Sequence, residues 1–187
     1  MILAFAALSC GRKVECPDFD ENVYEWFPYA KNDTIILERE TKDTSIALFT
    51  ESTLIWHTTH YMTNLDCGTC WDEITIGNYD SKISNLYIFV RLDKNQINSE
   101  EYYIKGSYFG NTRSNYYKQD NYSFGGTVYP EVKIFENAVS DEFYTQLIIA
   151  KYYGIIGLVD KNGIKWIRSR DYVLKIVHME IRNKACE

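Results

Sequence analysis

The dipeptide Asn162-Gly163 constrains the fold more than any other feature of the chain. It stands between the apolar run 154–159 and Ile164-Lys165-Trp166-Ile167, with a third run, Leu147-Ile148-Ile149-Ala150, just upstream. Asn-Gly between two such runs signals a β-hairpin, because both central residues of a type I′ turn need a positive φ. The register expected from that turn sets Lys161 opposite Ile164, Asp160 opposite Lys165, Val159 opposite Trp166 and Leu158 opposite Ile167. Opposite charges and a branched–aromatic pair would then face each other across the hairpin.

The same grammar runs through the chain. Strands are expected at 34–38, 45–49, 54–61, 71–76, 86–92, 102–109, 127–135 and 172–178. In 86–92 the alternation is clearest, with Leu86, Ile88 and Val90 on one face and Tyr87, Phe89 and Arg91 on the other. Pro130 demotes 127–135 to an edge strand or a bulge. Residues 111–121 are polar and dotted with tyrosine, which reads as a mobile loop. No window keeps a helical period, and 140–147 has room for one short turn. The expected fold is mainly β, an antiparallel sandwich or barrel-like sheet with at most one or two short helical turns. With 187 residues the chain can bury a sizeable core as one domain. A net charge of −6 offers no basic footprint, so no nucleic-acid partner is expected.

The N-terminus reads Met-Ile-Leu-Ala-Phe-Ala-Ala-Leu-Ser before Cys10, a short apolar stretch ending in small residues. Such a stretch matches the apolar region and cleavage site of a secretory signal. Ala7-Leu8-Ser9-Cys10 resembles the lipobox of bacterial lipoproteins, which implies acylation of Cys10 and a membrane partner through that anchor. Two or more acyl chains give stable anchoring where one does not. The expected division is 1–9 signal-like, 10–21 lipidated cysteine and tether, 22–180 a single β domain, and 181–187 a tail. Together with Trp26-Phe27-Pro28-Tyr29, 153–158 and 162–166, these features resemble small lipoproteins of Bacteroidetes-type bacteria. That resemblance implies an envelope location, at the outer membrane or cell surface, and supplies no catalytic residue.

With Cys10 assigned to lipid, Cys16, Cys67, Cys70 and Cys186 remain. An even number in an exported chain suggests disulfides, and four cysteines allow three connectivities. The expected pairing is Cys67–Cys70 locally and Cys16–Cys186 between the termini, the latter contributing roughly 4–5 kcal/mol in the chain-entropy model. Two rival chemistries use the same cysteines. Cys67-Gly68-Thr69-Cys70 looks like the redox motif of thioredoxin-like proteins, but that chemistry needs a helix N-terminus, and Trp71-Asp72-Glu73-Ile74-Thr75-Ile76 reads as a strand. His57 and His60 shortly before the pair would complete a Cys₂His₂ zinc set. Three apart on a strand, however, the two histidines point to opposite faces. No metal or other cofactor is therefore expected.

The sequence holds no G-x-S-x-G, H-E-x-x-H or Gly-rich phosphate loop, and an enzyme is not expected. Its carboxylate groups, Glu100-Glu101 and Asp141-Glu142 among them, read as solvated turns. An unrecognised hydrolase and a purely structural or assembly protein are the other rivals. The chemistry that remains is aromatic. Tyr116, Tyr117, Tyr122 and Phe124 cluster amid Asn and Gln, and a tyrosine's flat face and hydroxyl suit a glycan or protein ligand. The competing reading is that they merely clothe a sheet.

Overall fold

The computed structural model describes residues 21–29, 33–49, 53–60, 69–77, 86–93, 96–110, 114–137, 142–169 and 181–183. A 3₁₀ helix, Glu21–Trp26, precedes β1 (Thr34–Arg39) and β2 (Ser45–Phe49). A meander follows: β3 (Thr53–His60), β4 (Thr69–Gly77), β5 (Leu86–Asp93), β6 (Gln96–Ile104) and β7 (Ser107–Gly110). The second meander is β8 (Ser114–Phe124), β9 (Thr127–Asn137), β10 (Tyr144–Ala150), β11 (Gly154–Asp160) and β12 (Lys165–Arg168). The short β13 (Ile181–Asn183) comes last.

The expected mainly-β fold is what forms. One sheet has the order β2-β1-β12-β11-β10-β9-β8 and the other β13-β3-β4-β5-β6-β7. From β1 to β12 each strand pairs with its predecessor in sequence, except at β2/β3 and β7/β8, and β12 returns to pair with β1. This is the connectivity of an up-and-down barrel split along two seams into a sandwich. Pairing is antiparallel throughout, save that β13, in the segment read as a tail, lies parallel to β3.

Alternation builds the space between the sheets. Ile35 and Leu37, Ile74 and Ile76, Leu86, Ile88 and Val90, Tyr102 and Ile104, and Leu147 and Ile149 all meet there. A second core lies on the other face of the seven-stranded sheet, from Val132, Ile134, Ile148, Ala150 and Ile156. The long β8–β9 hairpin covers it by folding back. Asp120 pairs with Glu131 and Tyr122 with Tyr129, so Asn121 (φ 51°) stands across from Pro130 where the hairpin leaves β10. Past that rung Phe124 lies against Gly157, where an added Cβ would come within 2.2 Å of the ring.

Four expectations change. The β11–β12 hairpin is shifted by one residue, with Gly157 opposite Ile167, Leu158 opposite Trp166 and Val159 opposite Lys165. The cause is the Asp160 carboxylate, which accepts hydrogen bonds from the amides of Asn162 (2.8 Å) and Ile164 (3.1 Å). Gly163 N donates to Asp160 O, and Gly163 alone has a positive φ, so the loop has three residues with a bulge rather than a two-residue type I′ turn. The shift carries Trp166 into the inter-sheet core beside Leu158. Consecutive positive φ values occur instead at Lys105-Gly106 and Gly125-Gly126, and the former divides 102–109 into β6 and β7. The segment read as a mobile loop is, from Ser114, strand β8. The described helical turn lies at Glu21–Trp26 and not in Ser140–Leu147, whose last residues open β10.

Candidate functional site

Two clusters of side chains among the described residues bear on function, one closed and one open. The closed cluster lies between the sheets. β6 brings Glu100 inward on the face of Tyr102 and Ile104, and β9 brings Lys133 to meet it, with Nζ 2.5 Å from Oε1 and each side chain 3% exposed. Tyr102 donates its hydroxyl to the same oxygen at 3.3 Å, and the Trp26 ring covers the amine with its centroid 4.5 Å from Nζ. Burial lowers the Lys133 pKa, opposed by the Glu100 charge. Nearby, Tyr29 Oη accepts from Ile155 N at 2.5 Å, and burial raises that phenol's pKa far above its usual range. Glu100, read from the sequence as a solvated turn residue, is thus a core residue. A buried ion pair so covered ties the sheets together, and losing one partner strands the other charge.

The open cluster surrounds the turn of the β8–β9 hairpin. Where Gly125 crosses β12, it meets Ile167 so closely that an added Cβ would lie 2.3 Å from Cγ2. Beside this contact opens a cleft of about 380 Å³, lined by Ile167, Arg168 and Ser169 on one side and by Glu38, Arg39, Glu40 and Lys42 on the other. The charges differ in what they already hold. Arg39 pairs with Asp43 at 3.2 Å, Arg168 donates to Tyr153 O, and Glu40 Oε1 lies 3.5 Å from Lys165 N. Glu38 and Lys42 make no ion pair among the described residues. The cleft therefore offers one carboxylate and one ammonium beside an apolar Ile167 patch.

The tyrosine group is divided. Tyr116 stacks on Phe135, with centroids 5.3 Å apart, and is half exposed. Tyr117 stands on the opposite face, where its hydroxyl reaches Glu136 Oε1 at 3.4 Å, and burial followed by that carboxylate raises its pKa. Tyr122 stacks on Phe124 at 6.2 Å, and Phe124 is buried in the second core. The four do not form one surface. Of the three tyrosines, Tyr122 lies nearest along the strand to Gly125, the hairpin residue that lines the cleft. The charged half of this site was missed in the sequence because the β1–β2 turn and the hairpin turn are far apart in the chain.

Cys70 lies in β4 across from Thr59 of β3, and His57 and His60 lie in β3, across from Asp72 and Thr69. Cys10, Cys16, Cys67 and Cys186 fall outside the described residues. So do the expected closing strand at 172–178 and the signal-like segment. No helix among the described residues is long and apolar enough to cross a membrane. Comparison with protein-family models, with curated proteins and with solved structures gives no match.

Proposed function

We propose that this chain is a non-enzymatic, lipid-anchored domain of the bacterial cell envelope that binds a glycan in the cleft under the β8–β9 turn. The observation that carries this reading is the cleft itself: about 380 Å³, rimmed by Glu38 and Lys42 that hold no ion-pair partner among the described residues, and bordered by the hairpin of Tyr122. That volume suits one or two sugar rings, since ligand pockets begin at about 300 Å³. Carboxylate and ammonium groups serve hydroxyls as acceptor and donor, and an aromatic on the bordering hairpin would add a face for a ring's apolar side. The buried Glu100–Lys133 pair is shut beneath Trp26 and does not line the cleft. The anchor rests on Ala7-Leu8-Ser9-Cys10.

Two measurements test the proposal. Glycan-array screening followed by calorimetry should find a saccharide whose affinity falls about tenfold or more in Glu38→Gln, Lys42→Ala and Tyr122→Ala, one charged hydrogen bond or stacking contact each. If every ligand detected binds all three variants as tightly as the parent, the site is wrong. An intact mass of membrane-extracted protein should show a chain that begins at Cys10 with added acyl mass. A chain without acyl mass would refute the anchor.

A further inference from the structure

The outer edge of β8 carries a self-complementary pattern of charge. Within the hairpin, Lys118 pairs directly with Lys133 and Asp120 with Glu131. Each rung therefore sets like charges side by side, which disfavours the pairing. Lys118 reaches a carboxylate diagonally, 3.4 Å from Glu131, and its Nζ lies 5.6 Å from the centroid of the Trp26 ring. Asp120 has no cation among the described residues, and residues 116–121 are all exposed. Among the described residues no strand lies beyond β8 in its sheet. A strand edge left open this way presents unpaired amides and carbonyls to any extended chain.

We propose that the occupant is a second copy of this chain, with β8 pairing antiparallel to β8 about a two-fold axis at Gln119. Gln119 is the midpoint of Ser114–Phe124, so the strand registers on itself. Lys118 of each copy then stands opposite Asp120 of the other, and Tyr117 opposite Asn121. Each like-charge rung then meets one of opposite sign, the acidic Asp120–Glu131 pair of one copy lying end to end with the basic Lys118–Lys133 pair of the other. The two seven-stranded sheets join into one, and an isologous contact of this kind closes at a dimer. The glycan cleft lies on the hairpin's folded-back end, away from these central rungs, so the dimer would display two clefts.

The test is a charge swap on the full chain, with all samples in one detergent. Sedimentation should give the parent a mass twice that of the 21.9 kDa chain, falling toward the monomer as salt rises. Lys118→Asp and Asp120→Lys should each weaken dimerisation about tenfold or more, because each sets like charges opposite one another twice. Mixed in equal amounts, the two variants should recover a dimer containing one of each, since acidic pairs then meet basic ones. That recovery separates electrostatic mismatch from misfolding. A monomeric parent at the highest soluble concentration, a dimer indifferent to both substitutions, or a mixture that stays monomeric would each overturn the proposal. Glycan binding by a monomeric variant would leave the cleft intact while the dimer failed.

Discussion

Lys133→Met tests whether the Glu100–Lys133 pair holds the two sheets together. The geometry fixes the expected size. Both side chains are 3% exposed, the contact is 2.5 Å, and Oε1 of Glu100 receives both Lys133 and Tyr102. Removing the amine leaves a carboxylate in the core with one hydroxyl donor, a change that costs about 3–5 kcal/mol. For a domain of this size, with about 2–4 °C per kcal/mol, the melting temperature should fall by about 6–20 °C. Glu100→Leu should cost a similar amount by stranding the ammonium. The double variant should not cost the sum. With both charges gone, the residual penalty is mainly the orphaned Tyr102 hydroxyl, about 1–3 kcal/mol. Urea unfolding of the four proteins completes a double-mutant cycle with a coupling of several kcal/mol. Single substitutions costing under about 1 kcal/mol, or costs that simply add, would refute the reasoning.

Three further outcomes follow from other contacts. Tyr29, Tyr102 and Tyr144 have phenols whose pKa is raised by burial, that of Tyr144 to about 12. The unfolded chain ionises these groups first, so their contribution is intact below about pH 10 and declines as the pH climbs beyond it; denaturant midpoints between pH 8 and 12 should show the decline, and Tyr144→Phe should lessen it. Asp160→Ala removes the acceptor for Asn162 N and Ile164 N and should cost about 1–3 kcal/mol, read from a urea midpoint; an unchanged midpoint would mean that the carboxylate does not set the turn. Gly157→Ala places a methyl against Phe124 and the Trp166 carbonyl, so it should cost about 1–3 kcal/mol and speed amide exchange at 122–127, with little change in β5.

Much of the fold was legible because the two sheets obey simple alternation. Leu86, Ile88 and Val90 face the core as read, and the strand at 34–38 is β1. The hairpin at Asn162-Gly163 was legible as a hairpin but not in register, because the turn is organised by a side chain, that of Asp160. A second core was hinted at by Leu147-Ile148-Ile149-Ala150, an unbroken apolar run of the kind buried on both faces. What covers its outer face could not be read locally, since Phe124 arrives from a hairpin that folds back over β11. Glu100 was misread for the same reason: its partner lies 33 residues away in the other sheet. Around the candidate site, the sequence singles out Tyr122 and Phe124, on the hairpin that borders it. Glu38 and Lys42 belong to an unremarkable strand and turn until Gly125 is set over Ile167.

These departures share a cause that bears on function. The inner core is closed by pairing and an ion pair, whereas the outer core depends on one hairpin folded over β11 and β12. That hairpin forms one wall of the cleft through Gly125, anchors it through Phe124, and carries the open edge of β8. The proposed ligand site therefore lies on the part of the hairpin beyond its pairing with β10, which among the described residues ends at Val132, while the proposed dimer contact lies on the part that β10 still backs. A ligand bridging Lys42 and the hairpin would hold the turn against Ile167 and so favour the closed second core. By linkage, substitutions that loosen Phe124 from Gly157 should weaken ligand binding without touching a single residue that lines the cleft.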